Sequence, residues 1–193
     1  SEGFRNATDV QETARGTVHR WQCDHMGHVN VRAYGERFEE ACWQYYAMIG
    51  ILPSRLRSGE IHMAAVQQDT SYRRELLGGD VVVVRTSMLE VRDKVLRFEH
   101  EMVNCETGDV AATSAFTVVC LDAGERKSRP FPPDVLDKAR ALLKESGIDD
   151  AAAEAAYTNP LWKDRLKREN DAAIANGVFG APFFIVDGEP FWG

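Results

Sequence analysis

The sequence predicts an α+β domain in which a five-stranded antiparallel sheet wraps around one long central helix. Three observations carry this. Tyr34, Phe38, Ala41, Tyr45 and Ile49 recur at spacings of four and three, which marks one apolar helical face. Five other segments are alternating or β-branched runs, and short polar or Gly-containing turns join the last four. Hairpin-length turns make neighbouring strands antiparallel, and one helix and one sheet must then bury their apolar faces against each other.

The elements follow in order. Residues 15–21 read as the first strand. A polar turn, Gln22-Cys-Asp-His-Met-Gly-His-Val-Asn30, leads into the helix. Asn30 is placed to cap that helix and Gly50 to end it. Gly35, inside it, costs about 1 kcal/mol relative to alanine and is expected to mark a close backbone approach. Residues 61–72 form the next strand. After the turn at 78–80 comes a β-branched strand over 81–91. Leu96, Phe98, His100 and Met102 then alternate with charged residues, as a half-buried strand does, and residues 111–121 are the last strand.

The chain has 193 residues, 44% hydrophobic and 27% charged. That is a globular composition, long enough to bury a core without staples. The segment Arg129-Pro-Phe-Pro-Pro133 holds three prolines in four positions and suits an extended linker. It divides a first domain, residues 1–130, from an appendage, residues 131–193, that is Ala-rich and helical and then Gly- and Phe-rich. Net charge is −7, split as −3 and −4 across residue 130, which argues against a nucleic-acid binder. No apolar run is long enough to span a membrane, and no basic, apolar leader opens the sequence. Cys23, Cys42, Cys105 and Cys120 are scattered, with no C-x-x-C pair, and read as reduced and mostly core-filling. The expectation is a cytoplasmic protein.

The chemistry concentrates in the turn. Asp24, His25, His28 and Asn30 place a carboxylate, two imidazoles and a carboxamide just before a helix N-terminus. That terminus offers unpaired N–H groups and a partial positive charge. A carbonyl oxygen there would be polarised, and a nearby carboxylate could attack the carbon or activate water against it. Asp24 could equally be a turn residue, the commonest role of a loop aspartate. Cys23, His25 and His28 lack the regular four-ligand spacing of a metal site, so no metal is expected. His62 and His100 read as satisfied sheet residues, and the Glu39-Glu40 pair as structural.

Gln22-Cys-Asp24-His-Met-Gly27-His28-Val29-Asn30-Val31, followed by Tyr34 and Phe38-Glu39-Glu40-Ala41, resembles the turn and helix of hotdog-fold acyl-CoA thioesterases of the 4-hydroxybenzoyl-CoA thioesterase type. The likeness covers about residues 12–133. It implies Asp24 as nucleophile or general base, and a polarising backbone N–H around Val31. Gly27, His28, Asn30 and Tyr34 would help position the substrate. Gln22 and Val31 replace an Asp and an Asn of the family pattern, which bears on substrate preference. Arg73 and Arg74, and beside them Arg126 and Lys127, are candidates for the coenzyme A phosphates by charge. Coenzyme A enters as part of the substrate, with no other cofactor. The resemblance also implies a homodimer or homotetramer. Trp43, Tyr45 and Tyr46, with Tyr34, suit an aromatic acyl group or the core. The alternatives are an acyl-thioester hydratase or dehydratase, and a non-catalytic acyl-CoA-binding or scaffold protein.

Residues 157–193 carry a second likeness. Ala181-Pro182, inside Asn170-Asp-Ala-Ala-Ile-Ala-Asn-Gly-Val-Phe-Gly-Ala-Pro182, resembles the C-terminal part of 2-hydroxychromene-2-carboxylate isomerases and kappa-class glutathione transferases, which are thioredoxin-like. A helix finishing at 172–176 and a hairpin about Asp187-Gly188 are expected. The counterpart of the family's first strand and helix is missing, so the stretch reads as an appended packing element. Glutathione-linked chemistry is the other reading.

Overall fold

The computed structural model describes residues 10–125, 127–146, 168, 183–186 and 189–192. The chain divides into two compact units, residues 1–150 and 151–193. The first runs β1 (Gln11–Thr17), a short 3-10 turn (Arg20–Gln22), α1 (Val31–Met48), α2 (Pro53–Arg57), β2 (His62–Tyr72), β3 (Val81–Val91), β4 (Val95–Asn104), β5 (Val110–Leu121) and α3 (Pro133–Glu145). The five strands form one antiparallel sheet in the order β1-β3-β4-β5-β2. This is the expected hotdog arrangement, with β1 and β2 at the edges.

Helix α1 forms for local reasons. The Asn30 side chain accepts from the Arg32 N–H at 3.0 Å, and Gly50 ends the helix in the left-handed region at φ 83°. Tyr34, Phe38, Ala41, Tyr45 and Ile49 are all buried. Tyr45 and Tyr46 lie with ring centroids 5.4 and 5.8 Å from Phe98 of β4. Along β4, Leu96, Phe98, His100 and Met102 turn inward. Gly35 differs from expectation: a Cβ there would meet nothing within 4 Å, because the residue lies on the exposed side of α1.

One polar chain crosses this interface. Cys42 Sγ lies 3.2 Å from His100 Nε2, Thr86 Oγ1 lies 2.6 Å from His100 Nδ1, and Thr13 Oγ1 lies 2.6 Å from Thr86 Oγ1. Thr13 in turn donates to Val84 O at 3.3 Å. One direction satisfies every member: Cys42 S–H donates to Nε2, Nδ1–H to Thr86, Thr86 to Thr13. Burial pushes the His100 imidazole down to about 3 and the Cys42 thiol up to about 12. The unfolded chain binds this proton below about pH 6.5 and the folded chain does not, so stability falls as pH drops from about 6.5 toward 3. The expected contribution of His100 is up to about 1.4 kcal/mol per pH unit. Urea midpoints at pH 7, 6 and 5 measure it, and a flat midpoint across that range contradicts it.

Three features depart from the sequence reading. The first strand ends at Thr17, opposite Val81, where its partner β3 begins. Residues 20–22 instead close a 3-10 turn, in which Gln22 Oε1 accepts the His19 N–H at 2.9 Å. The short helix α2, which the sequence reading did not anticipate, starts on Pro53 and is anchored by Arg55. That guanidinium bonds Gly50 O and Asp134 Oδ2, each at 2.8 Å. The proline-rich segment is extended but docked: Phe131 is buried, and its N–H donates to Asp93 O at 2.7 Å. Helix α3 follows at once and buries Val135, Leu136, Ala139 and Leu143 in the same core. The first compact unit therefore continues past residue 130.

In the second unit, β6 (Phe183–Val186) and β7 (Glu189–Trp192) pair antiparallel, with Phe183 opposite Trp192. This is the expected hairpin. The helix expected at 172–176 lies outside the described residues. No helix among the described residues is long and apolar enough to cross a membrane.

Candidate active site

The turn between the 3-10 segment and α1 is a narrow loop closed on itself. Cys23 and Val29 pair across it. The Asp24 N–H donates to His28 O at 2.8 Å, and the Gly27 N–H to Asp24 O at 3.1 Å. Gly27 has φ 83°, a conformation in which a side chain would be strained. The loop is docked on the β2–β3 connection, where the Val29 N–H donates to Leu76 O at 2.9 Å and His28 pairs with Leu77.

Asp24 is half-buried. Its Oδ1 accepts from the Met26 N–H at 2.8 Å, which fixes the carboxylate. Its Oδ2 has no hydrogen-bond partner among the described residues. The helix start can be accounted for donor by donor. The Asn30 side chain takes the Arg32 N–H, and Asn30 O takes the Ala33 N–H at 2.9 Å. The Val31 N–H is left unpaired among the described residues, at the positive end of α1. The loop thus presents an oriented carboxylate with one open oxygen and a free backbone donor. These are the two parts needed to attack and to polarise a carbonyl group.

The other expected residues divide. His28 is partly buried, and its Nε2 lies 3.2 Å from Glu75 Oε2. Tyr34 is buried: its hydroxyl donates to Arg74 O at 3.3 Å and its ring meets Tyr72 edge-on at 5.2 Å. Burial raises its phenol above the ordinary tyrosine value. Tyr34 therefore holds the β2–β3 connection in place. Arg73 and Arg74 are exposed at the end of β2, with both N–H groups donating to Ala111 O. Neither guanidinium is in an ion pair among the described residues. Arg126 lies outside the described residues, and Lys127 pairs with Glu125 at 3.2 Å. Tyr45 and Tyr46 belong to the core, while Trp43 is partly exposed. Glu40 pairs with Arg37 at 2.8 Å on the outer side of α1. No group of three or more His, Cys, Asp and Glu that could hold a metal ion occurs among the described residues.

Sequence reasoning missed how many apolar side chains stay exposed on the turn and the segments that adjoin it. Trp21, Met26, Val31 and Leu77 are 74%, 65%, 62% and 51% exposed. The Trp21 ring is stacked on His19 at 4.1 Å. Three of these side chains sit in a loop or at a helix start, where periodicity carries no signal. Leu77 and Glu75 reach the turn only through the fold.

The comparisons with known proteins agree with the fold. Residues 18–139 match the thioesterase-like superfamily. Residues 128–193 match the DSBA-like thioredoxin domain, in line with the thioredoxin-like resemblance of the tail. That stretch contains no cysteine, so it carries no dithiol of its own. No curated protein matches the chain. A thioesterase from Thermus thermophilus, solved with coenzyme A and Zn, is similar over 72% of this chain and 97% of its own, at 27% identity and TM-score 0.59. A gentisyl-coenzyme A thioesterase is similar over 68% and 98%, at 25% identity and TM-score 0.55. A protein from Staphylococcus aureus, solved in complex with CoA, shares the fold over 72% and 89%, at 21% identity and TM-score 0.65. With the match spanning most of the sheet, the whole of α1 and the Asp24 turn, the chain belongs to the thioesterase-like superfamily.

Proposed function

We propose that this chain hydrolyses an acyl-CoA thioester to a carboxylic acid and free coenzyme A at the Asp24 turn. The observation that carries the reading is one short loop holding both an Asp24 oxygen open for reaction and an unpaired Val31 N–H. A thioester oxygen seated at Val31 N–H gains negative charge as the tetrahedral centre forms. A fixed donor stabilises that charge more than it stabilises the ground state. Asp24 then acts as nucleophile or as general base toward water, and both routes end in the same acid and thiol. The exposed side chains of Trp21, Met26, Val31 and Leu77 offer apolar surface for the acyl group. Arg73 and Arg74 supply positive charge for the phosphates of coenzyme A. The chemistry calls for no metal or redox group. Complexes of the related Thermus thermophilus thioesterase with coenzyme A support the substrate class.

The assembly fits a homodimer or homotetramer. Strand β2 is an eleven-residue edge, largely exposed from Ala65 to Asp69, and such an edge is a template for a second copy. Four free thiols suit the reducing cytoplasm. The test is release of free thiol from short, long and aromatic acyl-CoAs by the species whose mass by light scattering is at least twice that of the chain. The expected result is turnover on at least one of these classes. A folded oligomer that releases thiol from none of them contradicts the reading.

A further inference from the structure

We propose that Asp80, with Asn104 behind it, is a positioning residue for the Asp24 loop and acts on that loop through Leu77. The kinetic part of the inference rests on the thioesterase reading of Asp24. Asp80 closes the β2–β3 connection. Its Oδ2 accepts the Leu77 N–H at 2.9 Å and an amide hydrogen of Asn104 at 3.1 Å. Its main chain is tied as well: the Asp80 N–H donates to Leu77 O at 3.1 Å, and Asp80 O accepts the Val18 N–H at 2.8 Å. Asn104 is itself fixed, because its Oδ1 accepts the Glu106 N–H at 2.9 Å, which leaves its amide hydrogens for Asp80. One carboxylate thus joins the connection to the last residue of β4, and its backbone joins both to the exit of β1.

Leu77 is the link to the loop. It pairs with His28, and its neighbour Leu76 accepts the Val29 N–H at 2.9 Å. His28 and Val29 in turn close the loop: His28 O accepts the Asp24 N–H at 2.8 Å, and Val29 pairs with Cys23. The backbone that carries the Asp24 carboxylate is therefore seated, contact by contact, on a segment that Asp80 holds. A turn alone would need only the bond from Leu77 to Asp80. The second bond, from Asn104, fixes that turn to the sheet.

The other end of the connection has anchors of its own. The Arg73 and Arg74 N–H groups donate to Ala111 O at 2.8 and 3.0 Å, and the Tyr34 hydroxyl holds Arg74 O. Loosening Leu77 leaves the two arginines in place. That separation gives the effect a signature: kcat falls while KM and the affinity for coenzyme A hold. A remote contact can act this strongly, because a displacement of about 1 Å in a reacting group costs about 10²-fold in rate.

Three variants of the whole chain test this. Asp80→Ala removes the acceptor for both donors. Asn104→Asp keeps an acceptor for the Glu106 N–H but sets a second carboxylate against Asp80. Asp80→Asn keeps a carbonyl oxygen for both donors and removes only the charge. The first two are expected to lower kcat for thiol release roughly tenfold to a hundredfold, with KM within a factor of a few, while Asp80→Asn stays near the wild type. In amide hydrogen exchange, Asp80→Ala should speed exchange at the Val29 and Asp24 N–H groups and leave the amides of β4 as protected as before. An Asp80→Ala chain as fast as the wild type would overturn the proposal. So would a loss expressed in KM, a loss that Asp80→Asn shares in full, or unchanged exchange at Val29. A wild type that releases no thiol is a different failure. It sinks the thioesterase reading, and the exchange measurement alone then decides whether Asp80 holds the loop.

Discussion

Asp24→Asn is expected to lower kcat for thiol release by roughly two to four orders of magnitude while leaving coenzyme A affinity unchanged. The substitution is nearly silent for the loop. Asparagine keeps Oδ1 as the acceptor for the Met26 N–H, the bond that orients the side chain at 2.8 Å. It removes the charge and the reactive Oδ2, and with them either a nucleophile or a base. The turn also has support that does not involve this side chain, in the backbone bonds from Asp24 to His28 and from Val29 to Leu76. A loss of activity with an unchanged melting temperature therefore reports chemistry. Retained activity would remove Asp24 from the mechanism and leave it as a turn residue.

The second large effect is expected from Val31→Pro. Proline at the first position of a helix is favoured, because the N–H it lacks has no partner within the helix. The preceding Asn30 already has φ −66° and ψ 144°, the extended conformation that proline demands of its neighbour. The fold should accept this change, which deletes the one donor left unpaired at the start of α1. Loss of an oxyanion donor costs about 10²–10³ in kcat. Val31→Ala is the control, since it trims the exposed side chain and keeps the N–H. A proline variant as active as the alanine variant would show that another group polarises the thioester.

Much of this architecture is legible in the sequence because its cause is local. Helix α1 and strand β4 declare themselves through the spacing of Tyr34, Phe38, Ala41, Tyr45 and Ile49 and the alternation of Leu96, Phe98, His100 and Met102. The boundary of β1 is not local. The alternation of residues 15–21 continues past the point where a partner exists, and the strand stops at Thr17 because β3 begins opposite it at Val81. Helix α2 has five residues, too few to show a period. The segment around Phe131 reads as a linker because prolines dominate it, yet one buried ring and the face of Val135, Leu136, Ala139 and Leu143 bind it to the core.

The site divides in the same way. Asp24, Gly27 and Asn30 are visible because a turn and a cap are short-range events. Tyr34 is visible as an aromatic near the turn, but its hydroxyl is committed to Arg74 O. Glu75 and Leu77 are far along the sequence and join the turn only when the β2–β3 connection packs against it. The pairing of both ring nitrogens of His100 is likewise a product of two strands, β3 and β4, and α1.

The central claim is that the Asp24 loop catalyses hydrolysis of acyl-CoA rather than merely binding it. The most direct measurement places two quantities side by side for the wild type and Asp24→Asn: kcat for thiol release from the best acyl-CoA, and the dissociation constant of free coenzyme A. The account predicts that kcat collapses and the dissociation constant stays within a factor of a few. A wild type that binds coenzyme A without releasing thiol, or a variant that releases it as fast as the wild type, would contradict it.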